Sequence, residues 1–227
     1  MGNDSNDHSK EKRLYFLQHL VREFSDHFAI DLEQELLAVE GRIKELNSSI
    51  EHKLFQARAT GNLSYYHGMN LLKKVCAKYG IPFFIESTNG RKGGEYGLAK
   101  TRNFVVAYSN NPEIAQTRAD YQKYYSSLNA ELTLQGVLDF CEQAEDGSVF
   151  TDDEDKFFVT VGIKRNSQND ASLVFNVPNA DGFKHYVFFL EEIIEVYNIM
   201  NKEGSSFRLD EKESEVALKQ KWKTNFE

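Results

Sequence analysis

The repeat distance of the apolar residues changes once along this chain, and that change constrains the fold more than any motif. Up to about residue 80, large apolar side chains recur every three or four positions. After Asp146-Gly147 they recur every second position. The first spacing puts apolar groups on one side of an α-helix, and the second puts them on one face of a β-strand. Helices first and paired strands later, without regular strand–helix–strand alternation, predict an α+β fold. The expected form is an antiparallel sheet of about four strands packed with several helices, including long amphipathic helices at the N-terminus.

Leu14, Leu17, Leu20, Val21, Phe24 and Phe28 mark a first helix over 10–28. Leu32, Leu36, Val39, Ile43, Leu46, Ile50 and Leu54 follow at spacings of 4, 3, 4, 3, 4 and 4, with charged residues between them. One long helix over 31–54 carrying a narrow seam is expected. Such a seam packs either on its own domain or on a second helix, so Leu32, Leu36, Val39, Ile43, Leu46 and Ile50 are candidate association residues for a homo-oligomer. Thr60-Gly61-Asn62 reads as a break, followed by a helix to Tyr79 that Gly80 closes. Strands are expected at 81–85 and 104–108, and a helical stretch over 113–144, interrupted near Ser126–Asn129. The alternation of Phe157, Val159, Val161 and Ile163, then of Leu173, Phe175 and Val177, predicts a hairpin. Asp181 would cap a last helix running to Met200, with Phe183, Tyr186, Val187 and Leu190 in its stripe. This organisation divides the chain into a disordered lead (1–9), a helical segment (10–60), an α+β domain (61–204) and a charged tail (205–227).

Two cysteines in 227 residues, Cys76 and Cys141, are too few for a disulfide-held secreted fold. The polar N-terminus has no apolar signal region, and Asn6 stands where the myristoylation motif needs Ser or Thr. No apolar run approaches membrane-spanning length. A cytoplasmic protein with no membrane association is expected.

The formal charge of −8 is unevenly spread. Between residues 57 and 108, Arg58, Lys73, Lys74, Lys78, Arg91, Lys92, Lys100 and Arg102 face only Glu86 and Glu95, a local net of +6 that leaves −14 for the remainder. A basic segment in an acidic chain is the footprint of an anionic partner, either an acidic protein or a nucleic acid. Within it, Ser87–Arg102 reads as one long connection rich in glycine (Gly90, Gly93, Gly94, Gly97). Glycine frees backbone N–H groups and the cations add attraction, so Arg91, Lys92, Lys100 and Arg102 are the candidate anion-binding residues. Tyr65, Tyr66 and His67 lie near in sequence and could stack on bases.

Catalytic signatures are missing. Gly94-Glu95-Tyr96-Gly97-Leu98-Ala99-Lys100-Thr101 approaches a P-loop, but Ala99 replaces the required glycine and a strand follows in place of a helix. The six histidines form no metal-ligand pattern, Asp152–Asp155 lacks the spacing of a calcium loop, and no G-x-S-x-G occurs. A restriction-type nuclease would need an acidic residue two before Lys164, where Gly162 stands, with Glu86 and Glu95 as substitute ligands. His67 as a general base has no partner in the pattern. No cofactor and no metal are expected. The reading that follows is a non-enzymatic regulatory or inhibitor-type protein acting through macromolecular contact. A nucleic-acid-binding protein or metal-dependent nuclease, and an enzyme acting on a small phosphorylated ligand, are the alternatives.

Overall fold

The computed structural model describes residues 4–87, 94–112, 119–132, 156–165 and 170–202. Three helices open the chain: α1 (Asp4–Glu23), α2 (Asp26–Asn47) and α3 (Lys53–Lys78). They lead into the strands β1 (Phe83–Ser87), β2 (Glu95–Lys100) and β3 (Phe104–Tyr108). Helix α4 (Asp120–Ser127) and a short 3₁₀ turn (Ala130–Leu132) come next, then β4 (Phe157–Arg165), β5 (Ala171–Pro178), β6 (Lys184–Phe189) and α5 (Leu190–Lys202). Helix α1 thus begins inside the stretch read as a lead, and α3 runs through the 60/61 boundary.

The α+β expectation holds, but the sheet is mixed and six-stranded, in the order β1-β2-β3-β4-β5-β6. Every neighbouring pair is antiparallel except β3–β4, which run parallel from Phe104↔Phe157 to Tyr108↔Val161. Two strands escaped the sequence. β2 lies inside the supposed long loop, where its six residues include glycine and look like turn material. β6 occupies 184–189, the first half of the expected final helix. Its run Tyr186–Leu190 is continuously apolar, and such a run does not distinguish strand from buried helix. The helix starts only at Leu190, where the Glu192 carboxylate accepts from the Phe189 N–H at 2.9 Å.

The long 31–54 helix is also corrected. Ser25 caps α2, its hydroxyl accepting from the Phe28 N–H, and α2 ends at Asn47. There Ser48 and Ser49 turn their hydroxyls back onto the carbonyls of Glu45 and Leu46, bonds that compete with helix continuation. Conversely, Thr60-Gly61-Asn62 does not break α3. The Thr60 hydroxyl donates to the Gln56 carbonyl and accepts from the Asn47 side chain, joining α3 to the end of α2. Gly80 does end α3, with φ of +69° and the Ile81 N–H returning to the Cys76 carbonyl at 2.9 Å.

One face of the sheet carries the main core. Phe16 of α1, Phe24 just past its end, and Phe28 and Leu32 of α2 pack with Leu72 and Cys76 of α3 against Phe104, Val106, Phe157, Phe175 and Phe188. The helical segment and the strands therefore share one core. The opposite face holds Leu98, Val105, Ala107 and Phe158 under Tyr125 of α4. Past the end of α4, the fully buried Asn129 solves a pairing problem. Pro178 has no N–H to offer β4, so the Asn129 side chain exchanges both bonds with the Phe158 backbone and donates a third to the Pro178 carbonyl.

Candidate functional site

Of the four cations expected to gather an anion, Lys100 and Arg102 belong to the described residues. Arg91 and Lys92 fall in the β1–β2 connection, outside the described residues, while Arg102 is exposed in the turn that joins β2 to β3. The six residues of β2 occupy the second half of the presumed loop, about 20 Å of extended chain at 3.3 Å per strand residue. Lys100 closes β2 and is engaged: its Nζ donates to Glu86 Oε1 at 3.4 Å and sits 5.2 Å from the centre of the Phe84 ring. Glu86 Oε2 in turn accepts from Tyr96 at 2.7 Å and Tyr125 at 3.3 Å. That carboxylate, proposed as a substitute metal ligand, already holds three donors. Burial, reinforced by the hydrogen bond to Glu86, pushes the Tyr96 phenol well above its ordinary range.

Of the aromatic trio, Tyr65 is half-buried and shares a 3.4 Å hydrogen bond with Tyr121, whose ring stacks on Tyr96 at 4.2 Å. Tyr66 and His67 are exposed on α3. The structure brings Tyr65 to the β2 face and leaves its two neighbours at the surface.

Other basic residues of the segment meet carboxylates that the sequence places far away. Lys74 pairs with Glu35 and Lys78 with Asp31, both at 2.5 Å across the α2–α3 contact. Lys78 and the Tyr79 hydroxyl hold the Asp31 carboxyl below its usual 3.8. The local excess of +6 is partly cancelled in three dimensions.

The helical seam divides in the same way. Leu32, Leu36 and Ile43 are buried in the protein itself. Val39 and Ile50 are half-buried, and Leu46 is 65% exposed near the end of α2, with Leu54 and Phe55 exposed at the start of α3.

No three or more His, Cys, Asp or Glu side chains converge among the described residues, and Asp152–Asp155 and Cys141 lie outside them. Cys76 is a buried free thiol, pushed up to about 12 by burial. Gly162 has a structural reason: a Cβ there would stand 2.2 Å from the Ser109 carbonyl, so no acidic residue fits before Lys164. Lys164 instead lies over the Phe189 ring. No helix among the described residues is long and apolar enough to cross a membrane.

Sequence reasoning missed a cleft of about 500 Å³ between the second half of α2, the first half of α3 and the chain leaving β3. It opens where the only parallel pair among the described strands ends, since Tyr108 lines it from the end of β3, Asn110 and Asn111 from just beyond, and Ile163 from β4. In parallel sheets this is the place where connections leave in a crossover and vacate a crevice. Asn110 fixes one wall by donating to the Gly61 carbonyl at 2.7 Å. Glu40 on α2 is held by Arg165 at the end of β4 through both of its oxygens. Tyr108 crosses from β3 to α3, its ring filling the space a Cβ at Gly68 would take. Burial, then the Glu40 charge, push its phenol up to about 12. These residues span 36 to 163, and no local pattern announces them. No family model, curated protein or solved structure is significantly similar to this chain.

Proposed function

We propose that the protein is a non-enzymatic, cytoplasmic regulatory protein that works by macromolecular contact, with the β1–β2 hairpin as its contact edge. The observation that carries this reading is the state of β1. It pairs with β2 alone among the described strands and shows Phe84 and Ile85 to solvent at 47% and 46% exposure. A terminal strand with apolar side chains on both faces is a template for a further extended segment. Arg91 and Lys92 in the sequence that connects β1 to β2, and Arg102 past the far end of β2, favour an acidic polypeptide in that position. Lys100 sets its ammonium group over the Phe84 ring, and Glu86 takes part of that charge.

The test is binding of an acidic, β-prone peptide of alternating Val and Glu, followed by fluorescence anisotropy at low and moderate salt. Ile85→Asp should abolish binding, and the pair Arg91→Gln with Lys92→Gln should weaken it and flatten its salt dependence. Equal binding by Ile85→Asp would remove the edge from consideration. If a single-stranded oligonucleotide binds instead, with a steep salt slope and dependence on exposed Tyr66, the nucleic-acid reading takes precedence.

A further inference from the structure

The start of α3 departs from what a long helix needs. At 26 residues it has the full complement of unpaired N-terminal N–H groups, yet its N-cap, His52, makes no side-chain bond to them. No acidic residue stands in its first turn, whereas α2, α4 and α5 each carry at least one there. Its first residue is a cation, Lys53, which opposes the positive end of the helix dipole. Lys53 has no ion-pair partner among the described residues, and with Gln56 and Ala57 it forms one end of the cleft. The other charged lining residue, Glu40, is neutralised by Arg165. The uncompensated Lys53 charge therefore stands at one end of the crevice, beside a helix start without a side-chain cap.

The opposite end supplies an independent sign. Tyr108 is more than nine-tenths buried at 8% exposure and lines the cleft, and its hydroxyl has no hydrogen-bond partner among the described residues. The hydroxyl is not among the fully enclosed polar atoms, so it opens onto the cleft, where a ligand acceptor can reach it. Its raised pKa keeps it a donor throughout the physiological range. Leu36 and Ile163 make an apolar floor between the ends, and Ser64 offers a hydroxyl on the α3 side. From Lys53 to Ser64 is eleven residues, about 16 Å of helix at 1.5 Å per residue.

We infer that this cleft is a binding site for an elongated organic anion of about mononucleotide size. Its phosphate or carboxylate head sits at the N-terminus of α3 against Lys53, and an uncharged acceptor at its other end takes the Tyr108 hydroxyl. The volume suits one small metabolite, and the head would complete a helix start that the chain leaves uncompensated. This site does not depend on the hairpin reading, and either can fail alone.

The experiment is a titration of the whole chain, followed by amide NMR and calorimetry, with four probes: inorganic phosphate, adenosine monophosphate, adenosine and glutarate. Adenosine monophosphate should bind more tightly than phosphate or adenosine, and should shift the amides of Lys53 and Gln56. Lys53→Gln should weaken it about tenfold, the scale of one charge-assisted hydrogen bond. Tyr108→Phe should weaken it about fivefold while leaving phosphate binding and the melting temperature unchanged, because the hydroxyl has no partner in the protein to lose. Binding of glutarate and not of the phosphates would assign the head to a carboxylate. No amide shift at Lys53 or Gln56 with any anion at about 10 mM, roughly tenfold above a 1 mM dissociation constant, would overturn the inference. Full affinity in both variants would overturn it equally. Ser64→Ala, a helix-favouring change, repeats the test at the same end with no risk to the fold.

Discussion

Lys100 in the hairpin and Lys53 in the cleft belong to a single chain of net charge −8, yet the fold treats them in opposite ways. Lys100 comes from the most basic stretch, and the tertiary structure places Glu86 beside it and an aromatic ring beneath it. Lys53 comes from a stretch with no charge excess, and it stands at a helix end with Tyr108 deeper in the same crevice. Glu86, ten to forty residues from its donors Tyr96, Lys100 and Tyr125, makes the hairpin self-sufficient. Glu40, the other charged residue lining the cleft, is paired with Arg165. The number of cations in a segment thus says little about where an anion will find an unshared one. What decides is which carboxylates the fold brings within reach.

The sharpest comparison is between the glycines of the two regions. A Cβ at Gly162, under the cleft, would meet the backbone carbonyl of Ser109, which cannot swing aside. A Cβ at Gly97, in the hairpin, would meet the half-buried Phe83 ring at 2.3 Å and the Met69 side chain at 2.8 Å, side chains that can shift. Gly162→Ala should cost about 3 kcal/mol or more in urea unfolding, and Gly97→Ala about 1–2 kcal/mol. Equal costs would mean that the cleft floor is no more rigid than the hairpin.

Next in size is Glu86→Gln, which strips charge from a group serving three donors and should cost about 2 kcal/mol. It should also release Lys100, so that acidic peptide binding at the hairpin strengthens at low salt. A neutral outcome on both counts would show that Glu86 leaves Lys100 as available as Lys53.

Smaller still, and of opposite sign, Gly41→Ala and Gly61→Ala should each stabilise the protein by about 1 kcal/mol. Both glycines are helical, and an added Cβ meets nothing within 4 Å. Gly68, on the same helix as Gly61, should lose stability on the same change, since the Tyr108 ring stands 2.1 Å from its Cβ position. A gain at Gly68 would put the Tyr108 ring elsewhere and take one wall from the cleft.

The least effect is expected from pH at the α2–α3 contact. Asp31 is held below its unfolded value of 3.8, first by the Lys78 hydrogen bond and then by Tyr79. Its contribution is therefore present above that value and is lost as pH falls through its folded pKa. Lys78 is raised above 10.5, chiefly by Asp31, so its share is complete below that value and is lost as pH rises through its folded pKa. The stability difference between the wild type and Lys78→Met should be flat from pH 5 to 9 and shrink at both extremes, with urea midpoints as the readout. A difference that varied within that window would point to a titrating group other than this pair.

Much of the fold was readable one element at a time. The apolar faces of α1 and α2, the stop at Gly80, and strands β3, β4 and β5 follow from side-chain period and backbone conformation, which are local properties. β2 and β6 were not readable, because a short strand with a glycine and an apolar run that fits either period become strands only when a neighbour offers hydrogen bonds. The parallel β3–β4 pairing was hidden for the same reason, since it depends on how the connection over 109–156 crosses the sheet. At the candidate sites the division is similar. The sequence alone determined that residues 57–108 carry an excess of positive charge and that the long helices need an apolar partner. Tertiary structure alone decided that Glu86, Asp31 and Glu35 take three of those cations, and that Lys53 and Tyr108 share a crevice. Local spacing dictates which face of an element is buried, but charge pairing and cavity formation depend on distances between residues that are brought together only when the chain closes.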